Sequence, residues 1–408
     1  MKNARMSIFS VDTSHVGVLD GVRALGVLCV LWFHFWQQTW LMPTYQTPFL
    51  AWAGVKQINP DVLRRVGYLC VDLMLLLSAF VLYLPHAKQK FCGTPVDPIK
   101  TFFKKRFARI VPSYLLAVIV MFAVAMATGT YKGKASFALK DLLTHITFTQ
   151  MLFNDTYLFT GITAVMWTVC IEVAFYLVFP LLVKAFTRKP LLVYASMVLF
   201  GIWFTLDVSP AIGEPRIMVN RFLTFLPVFA NGMMAAYVYV WYAERVRNKA
   251  IPSIIGTAAA AAALWLIIYL FRACAASGDA SKQQVWQMQY RTLLSLAFTV
   301  FLLGMSISAR PIRRILDNRV LAAIAAVSYN LYLWHQWLMV RLCTAFGAKS
   351  GADIAKGGAG MQWTVMLTGL VIAFITAAVT TYGIEKPISR LILHTGKENR
   401  NALHDEGE

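Results

Sequence analysis

Charge is what this sequence has least of. Charged residues make up 14% of its 408 positions, against about a quarter in an ordinary soluble domain. Asp and Glu together number only 19, so a polar shell around a globule of this size is excluded. The six cysteines contain no C-x-x-C. No H-x-x-x-H or clustered Cys/His spacing occurs either, so no metal is expected. No long Pro-, Gly- or Ser-rich linker sets off a second domain, no repeat is visible, and no soluble domain is left over between the apolar segments. The N-terminus lacks a cleavage site, so the first apolar segment reads as a retained helix rather than a signal peptide.

What the chain has is apolar surface. Hydrophobic residues are 58% of it, and the mean hydropathy is +0.60. Apolar runs of about 20 residues recur, the length that crosses a bilayer core. Helices satisfy their own backbone hydrogen bonds in lipid without closing a barrel, so the expected class is an all-α polytopic membrane protein. Ten spans are expected: 20–40, 68–85, 111–128, 165–184, 190–207, 221–242, 251–271, 290–308, 320–341 and 362–383. The segment 142–160 is apolar but too short, and reads as an interfacial or re-entrant piece. The expected organisation is a tail at 1–19, a membrane domain at 20–390 and a tail at 391–408.

With the N-terminus placed inside, 23 of the 38 Lys and Arg fall on the inner side and 14 on the outer, Arg23 lying within span one. The excess of basic residues in the inner loops places both termini in the cytoplasm. Loop bias and contact with anionic membrane lipid account for much of the formal charge of +19, with no nucleic-acid partner required. Cys29, Cys70 and Cys170 read as small core residues. Cys274 and Cys343 both fall near the outer face, where a disulfide between them is an open alternative.

An ionisable side chain at the bilayer centre costs about 2.5–3.5 kcal/mol on insertion scales, so those present call for a reason. Four stand out within spans: His34, Asp72, Glu172 and His335. At about 1.5 Å rise per residue, all four fall in the outer third of the core. Arg23 and His34 differ by about three turns plus 20°, which puts them on one face roughly 16 Å apart. Thr168, Glu172 and Tyr176 form one polar stripe, and Ser328, Tyr332 and His335 another, as expected of faces turned to a bundle interior. Plainer readings stand beside these: His335 as an interhelical hydrogen-bonder, Glu172 as an ion-pair partner, and Asp72 as a charge complementing a helix N-terminus. Near the cytoplasm, Lys104, Lys105, Arg106 and Arg109 lead into span three. They read either as a topogenic loop or as a phosphate site, because guanidinium forks match phosphate oxygens. Arg23 lies at a similar depth and is a candidate to join them.

The stretch "LDGVRALGVLCVLWFHF" resembles the opening motif of the acyltransferase-3 family of membrane proteins, an Arg followed by ten residues and a His. "VDLMLLLSAFVLYLP" resembles its second-span motif, with Ala79 where the family usually has Gly. "KKRFARIVPSYLL" resembles its Arg-x-x-Arg segment, and "WTVCIEVAFYLVFPLL" its Trp-Ser-x-x-x-Glu motif, with Thr168 in the serine place. "VSYNLYLWHQWL" and "IEKPISR" resemble its last motifs. The six matches run in order from residue 19 to 390.

The resemblance implies transfer of an acyl group, commonly acetyl, from cytoplasmic acyl-CoA to a hydroxyl of a carbohydrate or glycolipid acceptor. The expected place is a cell membrane, the inner membrane of a bacterium. Some members carry a fused hydrolase-like domain; none is legible here, so direct transfer, or transfer to a separate partner, is expected. The site expected is Arg106, Arg109, Lys105, Lys104 and Arg23 on the donor phosphates. His34 would be general base or acyl carrier, Glu172 would orient or charge it, and His335 and Asp72 would line the acceptor end. Near-neutral imidazole suits a base. The rival reading is an exporter or flippase of a glycan or its intermediate, since transport paths also bury ionisable residues.

Overall fold

The computed structural model describes residues 16–41, 45–54, 56–58 and 61–393. Most of both expected tails, residues 1–15 and 394–408, lies outside the described residues. Helices dominate. They are α1 (Gly17–Thr39), α2 (Cys70–Cys92), α3 (Ile99–Ala127), α4 (Ala135–Ile146), α5 (Trp167–Arg188), α6 (Pro190–Trp203), α7 (Leu226–Arg245), α8 (Ala250–Ala276), α9 (Ala280–Ile307), α10 (Arg319–Ala345) and α11 (Gly358–Thr380), with short turns of helix between them. Strand pairing among the described residues is confined to Tyr45–Gln46 against Gln57–Ile58.

Nine of the described helical segments are long and apolar enough to cross a membrane, and the protein is a multi-pass membrane protein. The tenth expected span, 320–341, is α10. It has 27 residues, about 40 Å of helix, but Asn330, His335, Gln336 and Arg341 make it more polar than the rest. The segment 142–160 forms no span: it holds the end of α4 and two short helical turns.

The chain divides into two compact units. The first comprises Met1–Gln37, Leu41–Val96 and Val178–Ala326. Its centre is α2 packed along α7. Gly232 of α7 faces the Leu76 carbonyl so closely that a Cβ has no room there, which lets the two backbones touch. Gly67 does the same against the Cys29 carbonyl of α1. Helices α8 and α9 form a second pair, meeting at Gly256 and Gly304.

Helix α9 starts ten residues before the expected span at 290–308. Asp279 caps it by accepting the Lys282 N–H at 3.0 Å, the usual work of an Asp at that position. Arg291 therefore sits about three turns inside the helix rather than at its mouth. It is buried, and its Nε donates to Asp72 Oδ2 at 3.2 Å.

The second unit comprises Gln38–Trp40, Asp97–Leu177 and Val327–Glu408. Helix α10 packs on α11 at Gly369, where a Cβ would meet the Met339 sulfur. Tyr329 of α10 donates to the Ile110 carbonyl of α3 at 3.1 Å, next to Pro112, whose missing N–H loosens that turn. A π-helical turn at Thr381–Glu385 ends α11.

The connection between α3 and α5 is fastened by Asp141. The Tyr131 hydroxyl, the Thr160 hydroxyl and the Gly161 N–H all donate to its Oδ2, at 2.5, 2.9 and 2.9 Å. His145 Nδ1 lies 3.2 Å from Oδ1. Burial works to raise the Asp141 pKa. The hydrogen bonds from His145, Tyr131 and Gly161 outweigh it and hold the carboxyl below its ordinary value.

Cys274 and Cys343 are both free thiols, so the open alternative of a disulfide between them is not realised. Cys274 pairs with the Tyr68 hydroxyl at 3.8 Å in the first unit. Cys343 donates to the Gln38 carbonyl at 3.5 Å in the second.

Candidate active site

The first unit holds three of the expected residues. Arg23 and His34 share the unbroken helix α1, so the spacing argument carries over. Arg23 pairs with Asp20 at 3.9 Å, one turn earlier. His34 Nδ1 lies 3.1 Å from Gln37 Oε1, and its ring meets the Phe33 ring edge-on. Two indoles, Trp32 and Trp36, flank His34 along the helix, their Nε1 atoms buried without a hydrogen-bond partner among the described residues.

Asp72 is fully buried against Arg291. Arg291 Nη1 donates to the Val219 carbonyl at 2.6 Å and the Thr224 hydroxyl at 2.8 Å, Phe225 lies under the guanidinium at 4.0 Å, and Nη2 bonds to nothing among the described residues. Two charges neutralised in this way fix the packing of α2 on α9. The same carboxyl is less suited to reach a substrate.

The second unit holds the rest. Helix α3 begins at Ile99, twelve residues before the expected span, so the basic run that leads into the span lies on the helix itself. Lys105 pairs with Asp97 at 2.5 Å. Lys104 is half-buried, and Arg109 is exposed. Arg106 turns inward. Its guanidinium stands over Phe102 at 5.7 Å and over Tyr176 of α5 at 5.8 Å, and its buried Nε has no acceptor among the described residues. The Tyr176 hydroxyl donates to Glu172 Oε1 at 2.5 Å. Arg106, Tyr176 and Glu172 thus form one contact chain. Sequence depth alone puts Arg106 at the inner surface and Glu172 in the outer third; their shared contacts with Tyr176 bring the two to a similar level instead.

His335 is fully buried on α10, its Nδ1 2.7 Å from the Tyr332 carbonyl and its ring beside the Tyr332 ring. Tyr332 in turn donates to the Val165 carbonyl at 3.2 Å, which fastens the polar stripe of α10 to the turn before α5.

Two residues went unmarked in the sequence. Asn330, fully buried, donates to Glu385 at 2.6 Å and to Thr381 at 2.9 Å across the π-helical turn. Glu385 lies within electrostatic range of Arg109. It belongs to the quoted "IEKPISR", but only the π-helical turn aims it at α3 and α10. Among the described residues no group of three or more His, Cys, Asp or Glu is placed to hold a metal.

Comparison with known proteins adds one family match and three relatives. A family model described as an acyltransferase domain matches residues 16–383. The chain is 22% identical over 396 residues to peptidoglycan O-acetyltransferase OatA of Listeria monocytogenes serovar 1/2a, covering 92% of this chain and 56% of that protein. It is 23% identical over 339 residues to ORF330 of Acidianus two-tailed virus, provisionally named an acetyltransferase, covering 82% of this chain and 86% of that protein. Over 178 residues it is 27% identical to acyltransferase MdmB of Streptomyces mycarofaciens, covering 42% of this chain and 40% of that protein. The chain thus spans little more than half the length of OatA. No solved structure matches.

Proposed function

The chain belongs to the acyltransferase-3 family, and from that premise we propose that it moves an acyl group, acetyl in the simplest case, from cytoplasmic acyl-CoA to a hydroxyl of a carbohydrate or cell-envelope glycan. Peptidoglycan, named in the Listeria relative, is one such glycan. The observation that carries the reading is Arg106: a half-buried guanidinium with an uncommitted N–H, beside Arg109 and in contact with Tyr176. Guanidinium forks favour phosphate oxygens, and the 3′-phosphate and diphosphate of CoA offer several.

In this reading Arg106 and Arg109 hold the donor's phosphates, with Lys104, Lys105 and Arg23 adding positive potential. His34 takes the proton of the acceptor hydroxyl as its oxygen bonds to the thioester carbon. The C–S bond then breaks, and the departing CoA thiolate collects the proton. If His34 instead carries the acyl group, an acyl-imidazole accumulates when acceptor is withheld, and quenching followed by peptide mass spectrometry detects it. Glu172, through Tyr176, balances the charge around Arg106. His335 belongs to the acceptor end.

The proposed setting is the inner membrane of a bacterium with both termini in the cytoplasm. Cys92, exposed at the end of α2, should then resist an impermeant maleimide in intact cells and react once they are opened; labelling of intact cells would reverse the orientation. The reading itself is tested by mass spectrometry of envelope glycans with and without the gene. Loss of an O-acyl mass increment supports it, and unchanged acylation removes it.

A further inference from the structure

Three hydrogen-bond donors on α10 are left without acceptors. Trp334, Trp337 and Arg341 lie at i, i+3 and i+7, within about 60° of one another around the helix. Trp334 Nε1, Trp337 Nε1 and Arg341 Nε are all buried and bond to nothing among the described residues. The three side chains touch one another in sequence: the indoles meet edge to face at 6.0 Å, and the Arg341 guanidinium stands over the Trp337 ring at 5.6 Å. Arg341 forms no ion pair among the described residues.

About nine in ten buried polar groups find a partner, so three orphans on one stripe need an explanation. Tryptophan and arginine donate and never accept. Whatever completes the stripe must therefore be rich in acceptor oxygens and, at the Arg341 end, negatively charged. An interfacial anchor is the plain rival, since Trp and Arg gather where helices leave the membrane. Such anchors turn the indole N–H toward water and headgroups, whereas Trp334 is only 5% exposed.

We propose that Trp334, Trp337 and Arg341 form a binding stripe for an acidic carbohydrate. The two indole N–H groups donate to sugar oxygens, and the Arg341 guanidinium holds a carboxylate of the sugar. The proposal rests on the acyltransferase reading in one respect: it names the chemical class of the acceptor.

The test uses the full chain in phosphatidylcholine nanodiscs. The probes are a tetrasaccharide of alternating glucuronic acid and N-acetylglucosamine and its carboxyl-reduced counterpart, which differ only in charge. The parent chain should bind the acidic sugar about tenfold or more tightly than the reduced one, the difference of about 1.4 kcal/mol expected of a charge-assisted contact. Arg341→Gln should erase that preference and Arg341→Lys restore part of it. Trp337→Phe, which keeps a ring but not the N–H, should weaken both sugars a few-fold. Unchanged acyl-CoA binding in each variant verifies that it is folded. Equal binding of the two sugars, no binding of either, or indifference to Arg341→Gln overturns the proposal. So does a result in which phosphatidylglycerol nanodiscs abolish sugar binding through Arg341, which would assign the stripe to lipid phosphate. Acidic-sugar binding without any acyl transfer would sink the enzyme reading and leave the stripe. Acyl transfer to both sugars with no dependence on Arg341 would sink the stripe and leave the enzyme.

Discussion

The Tyr176 hydroxyl donates to Glu172 over 2.5 Å while the other side of the same phenol ring faces the Arg106 guanidinium. One ring therefore connects a cation on α3 to an anion on α5. Replacing Tyr176 by Phe keeps the ring and deletes only the hydrogen bond. A bond to a charged group contributes roughly 1.5–3 kcal/mol, so turnover should fall about ten- to hundredfold. Donor affinity should stay close to that of the parent, because the Arg106 contact survives. Steady-state kinetics with acyl-CoA varied would show the split; a defect confined to donor affinity would contradict it.

Arg106→Ala and Arg109→Ala should each weaken acyl-CoA binding about ten- to hundredfold, on the same energy scale. Lys at either position should rescue only part of the loss, since the ammonium keeps charge but not the fork. Raised salt should narrow the gap from the parent, because the contact that the variant lacks is itself screened in the parent. Isothermal titration with a non-hydrolysable acyl-CoA analogue measures it. Parent-like affinity in both variants would reduce the cluster to a topogenic run.

Arg291 tests the assignment of Asp72 to structure. Arg291→Met strands a buried carboxylate and should cost about 3–5 kcal/mol. Adding Asp72→Asn should recover much of that, because no unpaired charge then remains. Thermal unfolding in detergent, followed by tryptophan fluorescence, reports both. If the double variant is no more stable than the single one, the two side chains do not act as a pair.

Asp141 lies outside the spanning helices, and its carboxyl is held below its ordinary pKa. A group depressed on folding contributes stability above its unfolded value, near 3.9, and loses it as the pH falls through the folded value. Asp141→Asn should therefore destabilise the protein at pH 7, and the gap in Tm from the parent should close below about pH 4. A gap that stays constant or widens in acid would show that the carboxylate is not the source of the effect.

The sequence made the spans legible because a run of about 20 apolar residues has few alternatives. It also gave the shared face of Arg23 and His34, since α1 is unbroken. Other features depended on where helices begin. Hydropathy starts a span at its first apolar run and passes over the polar turns before it. Arg291 stands one residue inside the expected span at 290–308, and nothing in hydropathy shows that α9 already begins after Asp279 and buries it. The choice between topogenic run and phosphate site at Arg106 stays open in the sequence, because hydropathy does not show that Ile99 begins α3 earlier still. The Asp141 fastening joins Tyr131, Thr160 and Gly161, and no local pattern announces such a set. Glu385 was visible as a letter in a motif, but its meeting with Asn330 depends on a π-helical turn that sequence periodicity does not encode.

The central claim is that a thioester is spent in acyl transfer, with His34 handling the acceptor proton. The most direct measurement uses the purified chain in nanodiscs with radiolabelled acetyl-CoA and an envelope glycan fraction, and counts free CoA against acylated glycan. The account predicts one CoA released for each acyl group gained. It predicts that His34→Ala lowers the rate by about 10²–10⁴-fold while leaving acyl-CoA binding intact. Glycan crossing the bilayer with no CoA released, or near-normal turnover in His34→Ala, would contradict it.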